Sequence, residues 1–173
     1  FDLLHWNGDV TNLPAKWHRD YLRDLYRDNL LVKPGKLEAL GVPIDLTKVK
    51  TPTYVQAGKE DHIAPAVSVW KITEHFEGPL RFVLAGSGHI AGVVNPPEAK
   101  KYQYWTNEDE GVATLEEFRA GSTEHPGSWW PDWIEWIRSQ DDKEIAVRGK
   151  RKPGGGAKDK VIEATPGRYV KTR

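Results

Sequence analysis

Two side chains in this sequence stand where a proton acceptor and its orienting carboxylate would stand. Asp61 lies in Gly58-Lys59-Glu60-Asp61-His62-Ile63-Ala64-Pro65, four residues beyond the end of the β-prone run Thr53-Tyr54-Val55-Gln56-Ala57. His89 lies in Gly86-Ser87-Gly88-His89-Ile90-Ala91-Gly92, after the apolar run Leu80 to Ala85. An imidazole titrates near neutral pH, so in an accessible loop it can take a proton from a nucleophile and give it back. Glycines on both sides of His89 permit tight turns and close approach of a substrate. In parallel α/β sheets, ligand chemistry gathers beyond the carboxyl ends of strands, where Asp61 is placed to orient a histidine. Each residue alone also has a purely structural reading. Asp61 precedes a helix with Pro65 in its first turn and has the type and position of an N-cap. A single histidine after a strand is as readily a structural residue.

The two together say more than either does alone. An acid after one strand and a histidine after the next, with the nucleophile earlier in the chain, is the order of triad parts in the α/β-hydrolase fold. Other candidates are weaker. His62 adjoins Asp61 and could line the same pocket, whereas His5, His18, His75 and His125 are expected on helices or loops without partners at ligand spacing. No His-Glu-x-x-His helix and no acidic loop of calcium type occurs, so neither a metal site nor a resident cofactor is expected. Ser87 lacks the spacing of a Gly-x-Ser-x-Gly elbow and reads as a turn residue. The chain has no cysteine, which excludes disulfides, thiolate metal sites and a cysteine nucleophile within it.

The elements that must position these residues follow from periodicity and from turn formers. Trp17, Tyr21, Leu22, Leu25 and Tyr26 recur at helical spacing and predict an amphipathic helix over Ala15 to Leu30, with Asn12 as its cap and Pro14 near its first turn. After a connecting region from Pro34-Gly35, Thr53 to Ala57 predicts a buried strand closed by Gly58, Ala64 to Phe76 a helix, and Leu80 to Ala85 a second strand. Strand, helix and strand at this spacing form a parallel βαβ unit. Thr114-Leu115-Glu116-Glu117 matches a capping box and opens a short helix that Gly121 can end. Ser128 is placed to cap a last helix, whose Trp130, Trp133, Ile134 and Ile137 form an i, i+3, i+4, i+7 stripe expected to cover a neighbouring surface.

The composition is that of a globular α/β chain: 173 residues, 38% hydrophobic and 29% charged. Eight tryptophans are many for this length and belong in cores, lids or interfaces. Acidic and basic residues balance at 25 each, so no global field draws the chain to nucleic acid or anionic lipid. The balance is uneven along the chain, acidic in the body and basic from Val147 onward. Arg148-Gly149-Lys150-Arg151-Lys152 could bind a polyanion, but beside Gly154-Gly155-Gly156 it reads as solvated linker. No apolar run reaches membrane-spanning length and no signal segment opens the chain, which predicts a soluble, cytoplasmic protein. The opening Phe-Asp-Leu-Leu and the absence of any methionine predict a piece of a longer polypeptide.

Taken together, several runs resemble one family. They are Trp6-Asn7-Gly8-Asp9-Val10-Thr11-Asn12-Leu13-Pro14, Tyr21-Leu22-Arg23, Gly58-Lys59-Glu60-Asp61-His62-Ile63, Ser87-Gly88-His89-Ile90-Ala91-Gly92-Val93-Val94-Asn95-Pro96-Pro97, Trp105-Thr106-Asn107, His125-Pro126-Gly127-Ser128-Trp129-Trp130-Pro131-Asp132-Trp133 and Pro166-Gly167-Arg168-Tyr169-Val170. The chain resembles the C-terminal part of the polyhydroxyalkanoate synthases of the short-chain, single-subunit class (class I). The resemblance implies the C-terminal portion of an α/β-hydrolase fold, a parallel sheet with crossover helices, incomplete in this chain. It divides the chain into the end of a lid subdomain and the helix after it (1–30), part of the catalytic core (31–146), a flexible basic linker (147–160) and a terminal motif (161–173). The implied activity is acyl transfer that polymerises (R)-3-hydroxyacyl-coenzyme A, chiefly 3-hydroxybutyryl-coenzyme A, into polyester with release of coenzyme A. In that family an upstream cysteine is the nucleophile. His89 corresponds to the base that generates its thiolate, and Asp61 to the carboxylate that activates the 3-hydroxyl of the incoming unit. Implied partners are the hydroxyacyl-coenzyme A substrate, the growing polyester, a second copy in a homodimer and the polyester granule. With two of three catalytic parts, this chain alone is expected to be inactive. A serine esterase or polyester depolymerase of the same fold, and a noncatalytic granule-bound polypeptide, are the competing readings.

Overall fold

The computed structural model describes residues 4, 7, 8, 10–109, 111–144, 162–164, 167, 168 and 171. The expected basic linker and most of the terminal motif lie outside the described residues, as do Trp6 and His5. The chain separates into two compact units, Phe1–Trp136 and Ile137–Arg173. In the second, beyond the end of the last helix, Lys143 N–H donates to Asp141 Oδ1 and Arg168 N–H donates to Glu163 Oε1.

Helix α1 (Ala15–Tyr21) is shorter than its periodicity predicts and continues as a π-helical stretch over Leu22–Arg27. Asn12 does not cap it. Pro14 occupies the N-cap position with no side-chain bond, because its fixed φ already suits the helix entrance. Trp17 and Tyr21 stack at 5.2 Å and remain exposed. The connecting region that follows holds a short hairpin, β1 (Glu38–Ala39) and β2 (Val42–Pro43), turned by Leu40 and Gly41, both at positive φ.

The two strands expected from the apolar runs are present as β3 (Thr53–Gly58) and β4 (Leu80–Ala85), paired in parallel with Gly58 opposite Ala85. Between them the helix is shorter than predicted. Helix α2 spans Ala66–Trp70 and tightens into a 3₁₀ turn over Lys71–Glu74. The sheet is mixed rather than wholly parallel: β5 (Gln103–Thr106) and β6 (Thr123–Pro126) add antiparallel strands in the order β3-β4-β5-β6. Gln103-Tyr104-Trp105-Thr106 carries β-prone residues, but at four residues it is too short for periodicity to separate it from a loop. Pro126 is tolerated because β6 is an edge strand.

Alternation along the strands divides two cores between the two faces of the sheet. On one face, Val55, Ala57, Phe82 and Leu84 pack against Ala66 and Trp70 of α2 and against Leu115 and Phe118 of α3 (Leu115–Ala120). Trp70, Phe82 and Phe118 meet with ring centroids 4.8 to 5.5 Å apart. Helix α3 is opened by a capping box of Thr114 and Glu117 and closed at Gly121. On the other face, Val83 and Ala85 pack against Trp129, flanked by Tyr54, Tyr104 and Trp130. Ser128 Oγ accepts from Trp130 N–H, the first residue of the last helix, α4 (Trp130–Gln140).

Helix α4 turns only part of its predicted stripe to the sheet: Trp130 packs against the second core, and the rest of the stripe does not follow it. Trp133, Ile134 and Ile137 are exposed, whereas Trp129, Asp132 and Trp136 turn inward, Trp129 and Trp136 against the Tyr54 ring. The cause is electrostatic. Arg81 Nη2 donates to Asp132 Oδ1 at 2.6 Å and Arg81 Nε to Oδ2 at 3.0 Å, while the Tyr54 hydroxyl donates to Oδ2 at 2.8 Å. A bidentate guanidinium–carboxylate pair fixes direction as well as distance, so the polar residue decides which face looks inward. Burial works to raise the Asp132 carboxyl, but Arg81 and Tyr54 outweigh it and hold it below the ordinary carboxylate value. Burial and the neighbouring carboxylate push the Tyr54 phenol well up.

Replacing Asp132 by Asn is therefore expected to lower stability by about 2 kcal/mol at neutral pH, since it leaves the half-buried Arg81 guanidinium with only the exposed Glu108 carboxylate as its anion. A carboxyl depressed on folding contributes stability that is complete above its unfolded-state pKa and lost as pH falls through the folded-state value. Urea titrations should accordingly show the gap between native and Asp132→Asn protein closing below about pH 4. A gap independent of pH would contradict the ion pair.

Candidate active site

Parallel pairing brings the loops after β3 and β4 side by side, and backbone bonds hold them there. Lys59 N–H donates to Ala85 O at 2.8 Å and Glu60 N–H to Ser87 O at 3.1 Å. Gly58 eases the crossing, since a Cβ there would lie 3.0 Å from Asp61 Cβ and 3.3 Å from Ser87 O, closer than such contacts usually come. Ser87 takes a positive φ of 76°, which turns the chain sharply ahead of His89. Past it, Gly92 N–H donates to Gly88 O at 2.8 Å, and a Cβ on Gly92 would meet that same carbonyl at 2.7 Å. The glycines around His89 therefore permit a spiral in which backbone packs on backbone.

This lacing places Asp61 Oδ2 2.8 Å from His89 Nδ1. The other carboxylate oxygen, Oδ1, accepts from Ile63 N–H at 2.8 Å and from Ala64 N–H at 2.9 Å. Asp61 does not cap α2, whose N-cap is Pro65; it closes a turn within the loop ahead of that helix. Its two oxygens thus divide the two roles the sequence leaves open, one ordering backbone and one meeting the imidazole. The Asp61 side chain is only 6% exposed, whereas that of His89 is 46% exposed. The Ala64 amide, against an opposing contribution from burial and with help from His89 and the Ile63 amide, holds the Asp61 carboxyl below the ordinary carboxylate value. It is ionised at neutral pH and can only accept, so the proton between the pair sits on His89 Nδ1. That tautomer leaves Nε2 with a free lone pair, and no described residue is bonded to it. The arrangement can take a proton at Nε2 and stabilise the imidazolium that results.

The remaining sequence candidates fall elsewhere. His62 is exposed beside Asp61. His18 lies in α1 and His75 follows the 3₁₀ turn after α2. His125 is on strand β6, not on a helix or loop, bonded to Thr106 Oγ1 at 2.9 Å and stacked on Tyr104. Around the polar pair, Ile63, Ile90, Val93 and Val94 in the same two loops are exposed, so the site is bordered by apolar surface. Lys59 lies 4.2 Å above the Trp105 ring. Sequence reasoning missed Gly92 and Trp129 as supports of the loop; the only signal was the density of glycine and tryptophan.

No family model matches the chain. Over its whole length it is 47% identical to the poly(3-hydroxyalkanoate) polymerase subunit PhaC of Cupriavidus necator, spanning 29% of that protein. It is 46% identical to the PhaC subunit of Rhizobium etli, spanning 26% of it, and 46% identical to the poly(3-hydroxyalkanoate) polymerase of Methylorubrum extorquens, spanning 28%. The chain thus covers less than a third of the length of the curated relatives it matches.

The geometry predicts a specific effect of Asp61→Asn. Asn retains an oxygen for the Ile63 and Ala64 amides but presents an N–H to His89, which must then accept at Nδ1 and carry its proton on Nε2. Nitrogen chemical shifts of the imidazole should report the Nδ1–H tautomer in the native protein and the Nε2–H tautomer in the variant. An unchanged tautomer would mean that Asp61 does not orient the ring.

Proposed function

The chain belongs to the poly(3-hydroxyalkanoate) polymerase family, and we propose that it supplies the histidine and the carboxylate of a polyester synthase active site. The substrate is (R)-3-hydroxyacyl-coenzyme A, chiefly 3-hydroxybutyryl-coenzyme A, and coenzyme A is released as the polyester grows. The observation that carries this reading is the Asp61–His89 pair, 2.8 Å apart beyond the carboxyl ends of two parallel strands with Nε2 open. The names of the relatives favour polymerisation over hydrolysis.

The nucleophile is a cysteine outside this chain, which has none. His89 Nε2 accepts the thiol proton, and the thiolate attacks the thioester carbonyl carbon. Collapse of the tetrahedral adduct breaks the bond to the coenzyme A sulfur, which leaves with the proton held by His89. The acyl group then rests on the cysteine. In the second step a 3-hydroxyl attacks that acyl carbon and gives up its proton as the cysteine sulfur departs. The resemblance assigns that proton to Asp61 directly. The geometry favours His89 for it instead, because both Asp61 oxygens are engaged and its carboxyl is held below the ordinary value, which weakens it as a base. The apolar border of Ile63, Ile90, Val93 and Val94 suits an acyl chain better than a charged ligand. The same reading makes the whole enzyme an acyltransferase of α/β-hydrolase fold that works as a homodimer in the cytoplasm at the surface of its granule.

In the full-length enzyme, His89→Ala should lower coenzyme A release by about 10²-fold or more, the usual scale for losing a general base. Release near the native rate from a folded variant would overturn the assignment. The 173-residue chain by itself should release none from 3-hydroxybutyryl-coenzyme A at any concentration, because no thiol is present to hold the acyl group. Turnover abolished by His89→Ala in the isolated chain would reveal a nucleophile within it.

A further inference from the structure

His89 is nearly half exposed, and its one hydrogen bond among the described residues is to Asp61. One bond leaves the ring free to swing about it, so the position of Nε2 depends on the backbone that carries the residue. Ahead of His89 that backbone is tied to the sheet, through Gly86 N–H to Gln103 O at 2.7 Å and Glu60 N–H to Ser87 O. Behind it the loop closes mainly on itself, through Gly92 N–H to Gly88 O and Val94 N–H to Ile90 O, both at 2.8 Å. A turn held mainly by its own bonds can move as a unit.

Two indoles oppose that motion. Trp129 Nε1–H donates to Gly92 O and Trp130 Nε1–H donates to Val93 O, each at 2.9 Å. Consecutive side chains thus grip consecutive carbonyls. Gly92 is the hub: its N–H closes the spiral that contains His89, and its carbonyl is taken by the buried Trp129. The grip is itself anchored, since Trp129 packs on Val83 and Ala85 of β4 and stacks on Tyr54 of β3. Asp132, three residues on, is bonded to Arg81 and Tyr54 on the same strands. Packing alone does not require indole here. A phenyl ring would fill much of the same space, but it has no donor, whereas indole joins a large apolar body to an N–H that donates and cannot accept.

We propose that Trp129 and Trp130 are positioning residues for His89, their indole N–H groups clamping the Gly92 and Val93 carbonyls so that Nε2 is held where the proton transfer needs it. The clamp deepens the reading of His89 as the base and rests on it for its effect on turnover, though not for its effect on the loop.

The test uses the full-length enzyme with Trp129→Phe, Trp130→Phe, and 3-benzothienylalanine introduced at each position. That last side chain keeps the shape of indole and replaces the N–H with sulfur, so it separates loss of the donor from loss of packing. Expected are amide hydrogen exchange at Gly92 and Val94 faster by about fivefold or more, with exchange in β4 unchanged. Turnover should fall about tenfold with KM within about twofold, as for a misplaced group rather than a lost binding contact. Unchanged loop exchange and turnover in the benzothienyl variants would overturn the proposal, even if the Phe variants are unstable. If His89→Ala leaves turnover intact while removal of the donors still loosens the loop, the clamp stands as a structural device and the catalytic reading of His89 fails. Loss of turnover in His89→Ala, with no change on removing either donor, would overturn the clamp alone.

Discussion

Parallel pairing of β3 with β4, in a register that sets Gly58 opposite Ala85, is the constraint on which the rest of the site depends. Both strands then end at the same level and release their loops on the same side of the sheet. The two bonds from Lys59 and Glu60 to the carbonyls of Ala85 and Ser87 continue the ladder past the last strand residues. The loops inherit the rigidity of the sheet for two further residues each. A register slip of one residue would exchange the faces of Phe82 and Val83 and open both cores together. The same packing that stabilises the sheet therefore sets the distance between an aspartate and a histidine 28 residues apart.

Asp61 illustrates how few atoms a site of this kind uses. A carboxylate with one oxygen on two backbone amides and the other on an imidazole is almost fully engaged, and its low exposure keeps water from competing. The amides order the ring partner and also hold the carboxyl ionised, so the structural and chemical roles reinforce each other. An acidic residue so committed is better suited to orient a base than to act as one.

On the opposite face, the Arg81–Asp132–Tyr54 network plays the corresponding part for α4. It directs Trp129 inward and leaves Trp133, Ile134 and Ile137 exposed. Trp17 and Tyr21 of α1 and the apolar border of the site are exposed as well.

The sequence by itself determined the local features. The capping box at Thr114, the Ser128 hydroxyl at the start of α4 and the glycine-flanked loop around His89 rest on interactions between residues close in the chain, and β3 and β4 are marked by their β-prone, apolar composition. It also placed Asp61 and His89 in loops after successive strands, because strand ends are marked by glycine. Only the tertiary structure decided the rest. β5 and β6 exist because β4 offers an edge to pair with, a property no four-residue run carries within itself. The inward face of α4 was decided by Arg81, 51 residues from Asp132, against the apolar periodicity of the helix. The division of Asp61 between backbone and imidazole, and the grip of two indoles on the His89 loop, likewise depend on the tertiary fold. Periodicity reports which residues avoid water, whereas a hydrogen bond between distant residues depends on where the whole chain brings its donor and its acceptor.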